Sequence, residues 1–160
     1  MSKKQIILLV ICFAFLAFGK VLSSLDEKYG DTIPTIVYQQ NHSFDKKIYD
    51  NNVNSRHVYI YASYPSDIES LILKYPTLSF IEETIVKNWK PYIKQDNDVV
   101  IVLKINKDGS KEYKFLGNTG IYAAANAARS AVLSPTFVGE NIVEKADSVE
   151  LIYRFTVSNN

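Results

Sequence analysis

Few residues in this chain have the types and spacing that chemistry requires. His42 and His57 lie 15 residues apart with no cysteine beside either. That is not the spacing of a zinc site, and they read as loop or strand histidines. Asp96 and Asp98 flank Asn97 ahead of an apolar run. A calcium loop needs more oxygen ligands and a glycine turn, so this is a solvated turn. Glu82 and Glu83 fall where a helix starts, and negative charge is favoured there without any acid–base role. Gly117-Asn-Thr-Gly120 precedes a helical stretch and could cradle an anion, but a strand-to-helix turn accounts for it. Ser134, His57 and Asp147 could form a nucleophilic set, yet none sits in a nucleophile motif. Tyr59, Tyr61 and Tyr64 cluster near a possible sheet edge; tyrosine is common at interfaces and equally ordinary in strands. The reading is therefore of a non-enzyme with no cofactor and no metal.

The single cysteine, Cys12, lies inside the apolar N-terminal run, so the rest of the chain has neither disulfide nor thiolate metal site. Ile11 precedes it where a lipoprotein acylation site would have a small residue. Three of the 18 basic residues, Lys3, Lys4 and Lys20, precede residue 25, while all 17 acidic residues follow it. The remainder is slightly acidic, with no basic patch to hold nucleic acid.

Ile6 to Gly19 is an uncharged run of 14 residues behind Lys3 and Lys4. It has the length of a signal-peptide core and is short of the roughly 20 residues of a spanning helix. Ala17-Phe18-Gly19 offers a cleavage site, and Ser23-Ser24 a second. Alternatively Lys20 snorkels and residues 6–22 anchor the chain in the inner membrane. Either way residues 1–24 place the rest of the chain outside the cytoplasm, in the periplasm or cell envelope.

Residues 25–75 read as a linker or accessory segment, polar and irregular, with short strands at 35–38 and 57–62. Ser66-Asp-Ile-Glu69 and Ser79-Phe-Ile-Glu82 fit capping boxes at the starts of two helices. Ile81, Ile85 and Trp89 then recur at helical spacing, which places Trp89 in the core. Residues 99–106 and 112–115 alternate as strands around an Asn106-Lys-Asp-Gly109 turn. Residues 122–132 form an alanine-rich helix, narrow enough to lie close on a sheet, and residues 149–157 alternate as a final strand. The expected fold is α+β: two helices packed on one face of a small antiparallel three-stranded sheet, comprising residues 76–160.

These elements in this order resemble the TonB/TolA C-terminal domain family of bacterial envelope proteins. The resemblance rests on the helix leading into Trp89-Lys-Pro91, the hairpin around Asp108-Gly109, and Asn118-Thr-Gly120. The helix through Ala127, Ala128 and Ala131 and the strand VELIYRFTV complete it. It implies a periplasmic domain that binds other outer-membrane or periplasmic proteins, by strand addition or surface contact, and has no active site. A C-terminal strand is often a sheet edge, and an exposed edge templates another strand. The expected partner-binding residues are thus Val149, Glu150, Leu151, Ile152, Tyr153, Arg154 and Phe155. Residues 6–22 lack the Ser-x-x-x-His of the family's motor proteins, so the resemblance does not extend to energy transduction. The alternatives are a structural envelope protein, or a small-ligand-binding or hydrolytic protein on the same scaffold.

Overall fold

The computed structural model describes residues 42–73, 76–90, 95–137 and 141–159. All belong to one compact unit, Pro34–Asn160. The N-terminal apolar run and the strand expected at 35–38 lie outside the described residues. No helix among the described residues is long and apolar enough to cross a membrane.

The architecture departs from the expected three-stranded sheet. Five antiparallel strands form one sheet: β1 (Lys46–Val53), β2 (Arg56–Ser63), β3 (Asn97–Asn106), β4 (Lys111–Asn118) and β5 (Ser148–Asn159). Three short helices accompany them: α1 (Ile68–Leu71), α2 (Thr77–Asn88) and α3 (Tyr122–Leu133). The strand order is β1-β2-β5-β3-β4, and the fold is mainly β. The two extra strands come from the stretch read as a linker. Its sequence KKIYDNNV lacks alternating apolar residues, so β1 carries no period-2 signal. The turn after it is a two-residue loop, Asn54-Ser55, with φ of 51° and 63°. Positive φ at both positions is the type I′ geometry that matches strand twist.

One face of the sheet makes the main core. Val58, Ile60 and Ala62 of β2 meet Val99, Ile101, Leu103 and Ile105 of β3 and Val149, Leu151, Tyr153, Phe155 and Val157 of β5. Ile81 and Ile85 of α2 and Ala124, Ala128, Ala131 and Val132 of α3 pack onto them. Trp89, only 8% exposed, lies 5.1 Å from the Phe155 ring and 6.0 Å edge-on to Tyr49.

The capping boxes do not form. α2 begins at Thr77 with Pro76 at the cap, so Ser79 lies inside its first turn and caps nothing by side chain. α1 has Asp67 at its cap, likewise without a side-chain bond, and ends where Ile72 bridges to Val143. Tertiary contacts claim Glu82 instead.

Candidate protein-binding surface

The expected binding strand is not an edge. β5 pairs with β2 on one side, from Ser63↔Ile152 to Arg56↔Asn159, and with β3 on the other, from Asn97↔Val157 to Asn106↔Ser148. Both rows of backbone groups over 152–157 are therefore used, and no further strand can add there. Of the seven residues, Val149, Leu151, Tyr153 and Phe155 are core side chains on the helix face. Glu150, Ile152 and Arg154 point to the other face. The physical reason is β2, which occupies the side that a three-stranded sheet would have left open.

That second face has a small apolar floor of Val100, Val102 and Ile152, against which Phe44 and Leu116 pack. Charge surrounds it. Arg154 grips Asp98 bidentately, Nε to Oδ1 at 2.9 Å and Nη2 to Oδ2 at 2.6 Å. Lys104 lies 3.5 Å from Glu112. A shallow groove of about 390 Å³ runs over Val102, Ile152 and Leu116, with His42, Glu150 and Lys114 among its walls. Along β2, His57 stacks on Tyr59 at 5.6 Å, and the Tyr61 ring lies tilted 5.7 Å from that of Tyr59. Lys47 sits 4.6 Å over the Tyr59 ring. The tyrosine cluster is thus partly spent on its own strand neighbours.

Tyr64 takes a different part. Its hydroxyl donates to Glu82 Oε1 at 2.8 Å and lies 3.4 Å from that of Tyr153, which is fully buried. Lys46 of β1 pairs with the same Glu82. Burial, followed by the nearby Tyr153 and Glu82, pushes the Tyr64 phenol far above its ordinary value. Burial does the same to Tyr153. The cluster clasps β1 to α2 through a carboxylate.

Among the described residues, β1 and β4 are the outer strands of the sheet. β4 is built by the hairpin whose Asn106 N–H donates to the Ser110 carbonyl and whose Gly109 N–H donates to Asn106, both below 3 Å. Gly109 has φ 83°, the left-handed position that a three-residue hairpin loop assigns to glycine. Pairs then alternate along an antiparallel ladder between those that exchange hydrogen bonds and those that do not. With Asn106 and Ser110 bonded, Lys104↔Glu112 and Val102↔Lys114 are bonded pairs. Ile105↔Lys111, Leu103↔Tyr113 and Ile101↔Phe115 are not. The N–H and C=O groups of Lys111, Tyr113 and Phe115 therefore point outward. The register breaks between Val100 and Ile101, leaving Leu116 as the extra residue of a bulge. The regular edge is 111–115. Tyr113 is 40% exposed, with the Arg129 guanidinium of α3 5.8 Å from its ring. Lys111 donates to the Leu133 and Pro135 carbonyls at the end of α3 and pins the hairpin to that helix.

The residues considered for chemistry are not brought together. Among the described residues, no three His, Cys, Asp or Glu side chains are grouped to hold a metal ion. His42 lines the groove, whereas His57 lies on β2. Asp96 pairs with Arg56 and Asp98 with Arg154. Ser134 donates to Ala131 O at 2.6 Å, on the helix side of the sheet, while His57 stacks on the opposite face. Gly120 N–H donates to Asn118 Oδ1 at 2.7 Å, so a side chain of the strand-to-helix turn takes that donor. The Asp-Gly turn and the alternation of 112–115 signalled β4 in the sequence; nothing there said that it would be an outer strand.

Comparison with protein-family models, curated proteins and solved structures finds no match to this chain.

Proposed function

We propose that the chain is a protein-binding module of the cell envelope, delivered there by its N-terminal apolar run, and that it works by pairing and surface contact without chemistry of its own. The observation that carries this is the β4 edge. Three outward-facing N–H and C=O pairs, at 111, 113 and 115, sit on a regular strand fixed to a core-forming sheet. Such an edge gives affinity through its backbone and selection through the alternating side chains. The resemblance to TonB/TolA C-terminal domains supports the same class of role, with one change: β5 is closed by β2, so the binding edge moves to the other side of the sheet. The groove beside β4 extends the surface on which a partner's side chains would rest.

The test is photo-crosslinking from position 113 of the full-length protein in its own envelope, beside the variant Tyr113→Pro. That proline removes an outward N–H without disturbing the β3–β4 ladder. One defined envelope protein should crosslink, and its capture on the wild-type protein should fail on the proline variant. A partner retained by Tyr113→Pro, or none at all, would overturn the reading.

A further inference from the structure

The regular part of the β4 edge is self-complementary, and we propose that it pairs with a second copy of the same chain. Two β4 strands would lie antiparallel about a two-fold axis at Tyr113, joining two five-stranded sheets edge to edge. The inference rests on reading β4 as a pairing edge and names one occupant of it.

Three observations converge on that axis. The stretch of β4 in unbroken register, 111–115, has Tyr113 at its centre; the turn ends it on one side and the Leu116 bulge on the other. The backbone groups free to bond outward belong to Lys111, Tyr113 and Phe115, which are symmetric about the same residue. Tyr113 would then meet its copy as a hydrogen-bonded pair, and Lys111 would meet Phe115 in the same way. Third, the charges of Glu112 and Lys114 match across the axis. In this register Glu112 of each copy stands opposite Lys114 of the other, as a non-hydrogen-bonded pair. Side chains come closest at such pairs, where opposite charges stabilise and like charges destabilise. Glu112 is exposed and held as a carboxylate by Asn106 (2.9 Å) and then Lys104. Lys114 is exposed and makes no ion pair among the described residues.

Other registers fail. Centring on Glu112 or Lys114 still bonds outward groups, 111 with 113 or 113 with 115, but sets like charges directly opposite in a non-hydrogen-bonded pair, where side chains come closest. Centring on Lys111 or Phe115 runs into the turn or the bulge. Lysine on an edge strand ordinarily discourages pairing. Here an opposite charge two residues away, across a two-fold axis, converts the deterrent into a register lock. The second copy uses the same three backbone pairs as an envelope partner would, so the two occupants exclude each other.

The experiment is self-association of the full-length protein in detergent, followed by sedimentation, for wild type, Lys114→Glu, Glu112→Lys and the double exchange. Each single reversal creates two like-charge pairs and should weaken the dimer by about tenfold. The double exchange should restore it. With Cys12→Ala as background, Tyr113→Cys should form an intermolecular disulfide on oxidation. Opposed residues at such a pair are about 5.5 Å apart at Cα, within disulfide reach. Asn51→Cys on β1 should not. A monomeric wild type, a double exchange that fails to restore the dimer, or cysteines at 113 and 51 that crosslink equally would overturn self-pairing. If the wild type is monomeric yet an envelope partner is still lost in Tyr113→Pro, the binding-edge reading survives and self-pairing alone falls. If neither occurs, both fall.

Discussion

The sheet has two outer strands, and they are built to opposite ends. β1 is irregular: its register slips between Lys47 and Tyr49. Lys46 is drawn to Glu82 of α2 and Lys47 to Asp50 and the Tyr59 ring. Tyr49 lies edge-on to Trp89. Bulge, lysines and side-chain ties are the devices that blunt an edge. β4 keeps a straight five-residue run with matched charges and an exposed tyrosine, and its one bulge falls past the end of that run. An outer strand is thus no binding site by position alone. What counts is whether its outward backbone groups form an unbroken, chemically matched row.

The contrast can be broken most severely from the β1–β2 side. Ile60 of β2 is fully buried in the main core, so Ile60→Ala should cost about 2–5 kcal/mol, measured by denaturant unfolding. Tyr113→Ala on β4 should change monomer stability by less than about 0.5 kcal/mol. Comparable losses at the two positions would abolish the distinction between a structural and a free edge.

The clasp that holds β1 should show an intermediate effect with a pH signature. Tyr64 and Tyr153 have phenols raised above the ordinary value of about 10. The unfolded chain therefore loses their protons first as pH rises, and stability falls above about pH 10. Tyr64→Phe should lower neutral-pH stability by about 1–3 kcal/mol, through the lost bond to Glu82, and flatten the alkaline slope. An unchanged slope in urea titrations from pH 8 to 11 would sink this account.

The smallest effect is expected at the β1–β2 turn. Ser55 has φ 63°, where a side chain costs about 1 kcal/mol and glycine nothing. Ser55→Gly should stabilise by several tenths of a kcal/mol up to about 1 kcal/mol, read as a rise in denaturation midpoint. A fall would mean that the Ser55 side chain contributes to the turn.

Much of the framework is legible in the amino-acid order alone. The alternation of Val99, Ile101, Leu103 and Ile105, the Asp-Gly turn, the alanine-rich helix and the final strand all announce themselves by local period. So does the burial of Trp89, in phase with Ile81 and Ile85. β1 is not legible, because an outer strand exposed on much of its length needs no apolar alternation and KKIYDNNV has none. The capping boxes mislead for a related reason. Their pattern is local, but the Glu82 carboxylate bonds Tyr64 and Lys46 from other elements, and the helix start has no side-chain cap bond.

Apart from β1, the sequence by itself determined most of the segments that extend and coil, since period and turn chemistry act within a few residues. It also determined that the chain opens with an apolar run behind two lysines. Tertiary structure alone decided the order of the strands. Whether β5 lies at the edge or inside depends on where a hairpin nearly a hundred residues upstream docks, and strand propensity does not encode that choice. Filling the open side of β5 buries Val58, Ile60 and Ala62 of β2 against Phe155 and its neighbours, and this burial puts β5 inside the sheet with β1 and β4 outermost.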